Sequence, residues 1–296
     1  MSNPPALSRL ACRPLLVAAG LAVALVAALA CAQPVFGQPD HHPQPAGLRV
    51  MTYNIQHGAG SDTVFNLART AAAIRAQHPD VVALQEVDAT WDTRSNYVDE
   101  PQALARALHM YAFLAPIYDT PPTSLGAADK RYGVAILSKY PILESQDHQI
   151  TRLSTQVPNA VPVPAPGFAE IAIRVHGVAV HVYNTHLDYR ADPSVRVTQV
   201  AETRQYIDND PAPKILMGDL NANPQSPELA PLLADITDVW SILGQPHPAS
   251  YPASTPSDAI DFVLVSKGFG VKDASIIDTL ASDHRPEVAD LTLPRR

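Results

Sequence analysis

The 296-residue chain has only two cysteines, Cys12 and Cys31, and both lie within its first 31 residues. Beyond that point no internal disulfide can form, so the fold has to rest on its apolar core. A structural zinc site held by thiolates is disfavoured for the same reason. Basic residues are also outnumbered, with 21 Lys and Arg against 29 Asp and Glu and a net charge of −8. Bulk charge therefore runs against a protein that tracks a nucleic-acid backbone, although a local patch or bound cations can override it. No internal repeat at solenoid spacing occurs.

The first 32 residues carry Arg9 and Arg13, an uninterrupted apolar run from Leu15 to Ala30, and small residues around Cys31 and Ala32. This pattern reads as a signal peptide over 1–32 and places the protein outside the cytoplasm: periplasmic, envelope-anchored or secreted. Ala28-Leu29-Ala30-Cys31 also loosely resembles a bacterial lipobox, which would end the signal at residue 30 and make Cys31 a lipidated first residue. An uncleaved anchor is the third reading, with a run slightly short of the ~20 residues that span a bilayer. Lipidation or an anchor would bring membrane contact. Removing 1–32 takes away two arginines and no acid, shifting the net charge from −8 to −10. Gln33 to Gly47 is proline-rich without apolar periodicity and reads as a linker, with His41-His42 as part of a solvated tether. A single monomeric domain over 48–296 follows.

From Leu48 onward, strand-like and helix-like patterns alternate. Strands are predicted over 49–55, 81–87, 132–137, 142–153, 168–175, 178–184, 214–217, 259–265 and 287–293, with a tight turn at His176-Gly177. Helices are predicted over 64–77, 101–110, 193–207 and 227–233, the first with Val64, Leu67, Ala68, Ala71 and Ile74 on one face. Two sets of strands flanked by helices imply an α/β (α+β) architecture, a four-layer α-β-β-α sandwich with two packed mixed sheets. Pro116 to Lys130 and Gln156 to Gly167 are proline-rich and read as irregular loops, either plain surface or the rim of a site.

Five polar clusters close apolar runs: Thr52-Tyr53-Asn54-Ile55, Leu84-Gln85-Glu86-Val87, Asn184-Thr185-His186-Leu187-Asp188, Gly218-Asp219-Leu220-Asn221 and Ser282-Asp283-His284. Oxygen acceptors suited to a hard cation are thus mixed with imidazoles and amides suited to a phosphate. Asp219 and Asn221 alternate onto one side of an extended segment, and Gly218 leaves room for close approach. Asp261 sits in the apolar strand Ile260 to Val265, where an unpaired charge is costly, so it requires a partner such as an imidazole.

In this order the clusters resemble the endonuclease/exonuclease/phosphatase superfamily over Leu48 to Leu293. The resemblance implies a phosphoesterase, chiefly a phosphodiesterase, acting by in-line attack of an activated water on a phospholipid-type or nucleic-acid substrate. It implies Glu86, Asp283 and Asn54 as metal-site residues, with Mg²⁺ or else Mn²⁺ as cofactor. Asn54, His186, Asn221 and His284 would bind the phosphate, Asp219 would align or deprotonate water, and Asp261 would hold the catalytic histidine. A catalytically silent binding domain on the same scaffold is the competing class. It would be expected to have lost at least one of Glu86, Asp219, Asn221, Asp283 or His284, and all five are present.

Other polar residues read as less informative. Asp188 and Tyr189 suit either substrate contact or a strand end. Arg196 and Gln199 share one helix face, which reads as solvated with a phosphate or loop contact as the alternative; Asp147-His148 could mimic a catalytic pair but, lacking a strand-end frame, reads as exposed.

Overall fold

In a computed structural model, residues 47–122, 124 and 126–294 are described. The signal peptide, the lipobox-like Cys31 and nearly all of the linker lie outside them. The strands are β1 (Gly47–Asn54), β2 (Val81–Ala89), β3 (Tyr111–Thr120), β4 (Lys130–Ser138), β5 (Glu144–Arg152), β6 (Val163–Val175), β7 (Val178–His186), β8 (Lys214–Asp219), β9 (Thr237–Asp238), β10 (Asp261–Val265), β11 (Gly270–Ile276) and β12 (Glu287–Thr292). The helices are α1 (Leu67–Gln77), α2 (Glu100–Leu108), α3 (Ser194–Asn209), α4 (Ala230–Leu233) and α5 (Val239–Leu243).

Two six-stranded sheets form, in the orders β11-β12-β1-β2-β4-β3 and β5-β6-β7-β8-β10-β9. Each has one parallel pair near its centre, β1 with β2 and β7 with β8, while the other pairings are antiparallel. A parallel pair needs a crossover, which α1 supplies in one sheet and α3 in the other. Alternation then decides the layers. In β7, Val180 and Val182 join the core between the sheets with Val50, Ile136 and Ile171, while Tyr183 joins an outer cluster with Phe168, Val200 and Ile207. Met51, Tyr53, Leu84, Ile74 and Leu104 fill the corresponding layer under α1 and α2. The result is the expected four-layer sandwich. Its two parallel pairs both end at the same rim.

Three local expectations change. Helix α1 starts at Leu67, because the Asn66 side chain accepts the Arg69 amide as an N-cap, and Val64 and Ala68 lie exposed off the buried stripe. The segment read as a loop after Pro116 is β3 through Thr120, with the proline at a register shift. The other predicted loop contains the start of β6, where Pro164 and Pro166 fall before pairing with β7 begins at Ala169 and so remove no ladder bond on that side. The His176-Gly177 turn is as expected, both residues having positive φ.

Gly218 lets β8 approach β7. A Cβ there would sit 2.1 Å from the Thr185 carbonyl oxygen, and its φ is +151°. Gly218→Ala should therefore lower stability by ~1–3 kcal/mol, the cost of overpacking a closed core, read as a lower urea midpoint at unchanged m-value.

Candidate active site

The rim where β1, β2, β7 and β8 end carries a cavity of about 500 Å³ whose wall includes Glu86, His186, Asp219, Asn221, Asp283 and His284. Asn54, at the end of β1, is fully buried beneath that wall. Its Nδ2 donates to Glu86 Oε1 and to Asp219 Oδ2, each at 3.1 Å, and its Oδ1 accepts the Gln56 amide. One side chain thus ties the two sheets together across the site. Glu86 has φ +56° where the β2–β4 register shifts, a bulge that turns its carboxylate out of the strand's buried pattern.

Asp219, 1% exposed, is the hub. Its Oδ1 accepts the Asn221 amide at 2.9 Å, and its Oδ2 lies 3.5 Å from His186 Nε2 and 3.7 Å from His284 Nε2. Burial pushes its carboxyl up, and the two imidazoles oppose that shift. His284 is held from behind: its Nδ1 lies 2.9 Å from Asp261 Oδ2, which also accepts the Ser250 hydroxyl at 2.6 Å. Burial alone would lower the His284 pKa, but the Asp261 charge and hydrogen bond, with Asp219 and Asp283 behind them, raise it to about 10. The ring is therefore an imidazolium at neutral pH, with Nε2 left for the cavity.

Asp283 is pushed up, first by burial and also by the Glu86 charge, while His284 pulls it down. Asn221 spends one amide hydrogen on the Leu187 carbonyl at 3.0 Å and keeps the other. All eight residues singled out in the sequence are thus brought together. Six line the cavity, while Asn54 and Asp261 lie under it.

Sequence reasoning missed several neighbours. Ser250 is the second partner of Asp261, and Tyr251 packs its ring 4.6 Å from that of His284. Arg152 lines the cavity floor and donates to the carbonyls of Pro166, His186 and Gly167, with burial lowering its pKa to about 10. Nothing in the local sequence marks it, since its acceptors are all main chain.

Two bland expectations fail here. Arg196 and Gln199 are buried, not solvated: Gln199 Oε1 accepts the Asp188 amide, and Arg196 pairs with Glu228 at 2.9 Å while holding the Asp188 carbonyl. These two side chains anchor the segment that leaves His186. Arg196→Met should cost about 3–5 kcal/mol in urea unfolding, since it strands the Glu228 charge, whereas the double change with Glu228→Leu should recover much of that loss. Asp147 and His148 are half-buried: Asp147 accepts the Gly167 amide and His148 meets Glu170. Asp188 is buried against Arg190, and Tyr189 is 64% exposed at the mouth.

The profile of the Endonuclease/Exonuclease/phosphatase family matches residues 51–284. The chain belongs to that family. The match spans all five clusters, from β1 to His284. Among curated proteins, a putative neutral sphingomyelinase of Drosophila melanogaster is 31% identical over 157 residues, which is 49% of this chain and 32% of that protein. Among solved structures, an endonuclease/exonuclease/phosphatase from Beutenbergia cavernae has a TM-score of 0.67 at 25% identity, over 84% of this chain and 72% of that one. The catalytic domain of human Nocturnin, solved with a bound sulfate, shares the fold at 18% identity and TM-score 0.61, over 83% and 93%. A mannosyl-6-phosphatase of Bacteroides thetaiotaomicron does so at 16% and 0.59, over 83% and 100%.

Proposed function

We propose that this family member is an exported, metal-dependent phosphodiesterase that cleaves a P–O bond by in-line attack of water. The observation that carries the reading is Asp219, buried between two imidazoles and an amide on the wall that Glu86 and Asp283 share. A buried carboxylate with one oxygen turned toward the cavity is placed to align a water and take its proton. His186, His284 and Asn221 surround it as donors for phosphoryl oxygens, which gain charge in the transition state. Asn54, expected to contact the phosphate and the metal, instead spends its buried amide on Glu86, Asp219 and the Gln56 amide, so it positions these groups, as Asp261 does, without reaching the substrate.

Glu86 and Asp283 form an all-oxygen pair whose charges oppose each other, and Asn54 holds the first of them in place. That donor set fits Mg²⁺, or Mn²⁺ as second choice, since such ions take one or two carboxylates and keep several waters. When bound, the ion would neutralise charge on the phosphoryl oxygens.

Substrate preference is read from the walls. Tyr118, Tyr132, Tyr189 and Tyr251 line the cavity, and its arginines are already engaged, Arg152 by carbonyls and Arg190 by Asp188. Phenol faces with little free positive charge suit a compact phosphodiester with a quaternary ammonium or apolar head, as in sphingomyelin, better than a polynucleotide. The sphingomyelinase relative supports the same choice.

A panel of sphingomyelin vesicles, bis-p-nitrophenyl phosphate and plasmid DNA, each with Mg²⁺, Mn²⁺ or chelator, tests the proposal. Sphingomyelin should be turned over fastest and chelator should abolish turnover. Full activity in chelator would overturn the metal reading, and faster DNA cleavage the substrate reading. Export rests on residues 1–32, and sequencing the amino terminus of the mature protein checks it: a start at or near residue 31 or 33 is expected, and an intact Met1 would refute cleavage.

A further inference from the structure

Far from this cavity, on the outer face of the second sheet, Glu170 of β6 and His181 of β7 meet Asp210, the residue that ends α3. His181 Nδ1 lies 2.9 Å from Glu170 Oε1 and 3.1 Å from Asp210 Oδ2. Neither approach has hydrogen-bond geometry: this nitrogen is buried and has no hydrogen-bond partner. One donor atom from each of the three residues falls within 4.8 Å of the others. The surrounding groups hold the two acids in place. His148 Nε2 meets Glu170 Oε2 at 2.5 Å, the Ala212 amide donates to Asp210 Oδ1 at 2.8 Å, and the Tyr183 hydroxyl donates to Asp210 Oδ2 at 2.9 Å.

We propose that Glu170, His181 and Asp210 form a second cation site, for a divalent transition metal of the zinc class. Ligands about 2.0–2.1 Å from a tetrahedral Zn²⁺ stand roughly 3.3 Å from one another, close to the two imidazole–carboxylate distances here. An imidazole nitrogen whose nearest oxygens are off its hydrogen-bonding line is disposed as one vertex of such a tetrahedron. The mixed nitrogen and oxygen set selects against Mg²⁺ and Ca²⁺, which take oxygens, and in favour of Zn²⁺. His148 and Tyr183 stand behind the carboxylates as orienting partners. The Lys214 ammonium is held by the Asp210 main-chain carbonyl, which leaves the carboxylate to the ion. The His181 and Glu170 side chains are 24% and 16% exposed while Asp210 is nearly covered, so an ion would enter, and a water complete the shell, from the His181 and Glu170 side.

The site would clamp the end of α3 to β6 and β7. His181 precedes His186 by five residues on one strand, roughly 16 Å at ~3.3 Å per residue, so the ion is structural and takes no part in the hydrolysis.

Metal-stripped protein carrying Glu86→Gln, which weakens the cavity's own cation site, is dialysed against ZnCl₂ in excess MgCl₂, and bound zinc and Tm are measured. His181→Ala and Asp210→Asn are each added to that background. One zinc per chain that raises Tm is expected in the Glu86→Gln protein, with at least tenfold weaker binding and no Tm rise in either double variant. Asn at 210 can still accept the Tyr183 hydroxyl, so that variant stays informative even if His181→Ala fails to fold by circular dichroism. Zinc bound as tightly by the Asp210→Asn protein as by its parent, or no zinc retained by the parent in excess MgCl₂, overturns the site.

Discussion

Asp219→Asn should lower kcat by ~10²–10⁴-fold, the range lost when a positioned proton acceptor is removed, with little change in KM. The substitution is nearly isosteric. Asn221 can still donate its amide to the retained oxygen, and the strand end stays tied by the Leu187 amide to the residue-219 carbonyl. What disappears is the anionic oxygen that faces His186 and His284 and accepts the Asn54 amide, so urea unfolding reads the cost of that lost bond separately. Because that oxygen would act on water rather than on substrate, binding should survive. Steady-state kinetics on the preferred phosphodiester, with circular dichroism and urea unfolding as controls, gives the answer. Activity within tenfold of wild type would remove Asp219 from the chemistry and undo the proposed role of the cavity.

How much of this was legible in the chain follows from what each residue packs against. The strand-end clusters stand out because an acid or amide closing an apolar run breaks the pattern at the point where the fold opens to solvent. The buried Asp261 announced its need for a partner, and the structure supplies His284 and Ser250. Polar residues satisfied inside the protein leave no such mark. Helix α3 buries Arg196, Gln199 and Thr203 on the same side as Val200 and Ile207, so its inward face reads as solvated. Strand β11 carries Lys272 and Asp273 at a register shift and shows no clean alternation, so no strand was predicted there. The prolines of β3 and β6 masked strands because proline suits bulges and unpaired edges as well as loops.

A graded pair of variants probes the opposite wall. His284→Gln should lower kcat by ~10²–10³-fold, about 2.7–4 kcal/mol of transition-state stabilisation, because the Nε2 donor beside Asp219 is lost. Asp261→Asn should cost less, ~10–100-fold, since the imidazole remains but its anionic support is weakened. Ser250 can still bond the replacement amide, so the core should tolerate the change. The decisive measurement is the double variant. Asp261 lies beneath the cavity and would act only through His284, so in the His284→Gln background Asp261→Asn should have almost no further effect on kcat. A multiplicative loss would mean that Asp261 contributes by another route, either through its charge acting on Asp219 or through the fold. Urea unfolding of the single variants separates the two: a kinetic loss at unchanged stability excludes the fold.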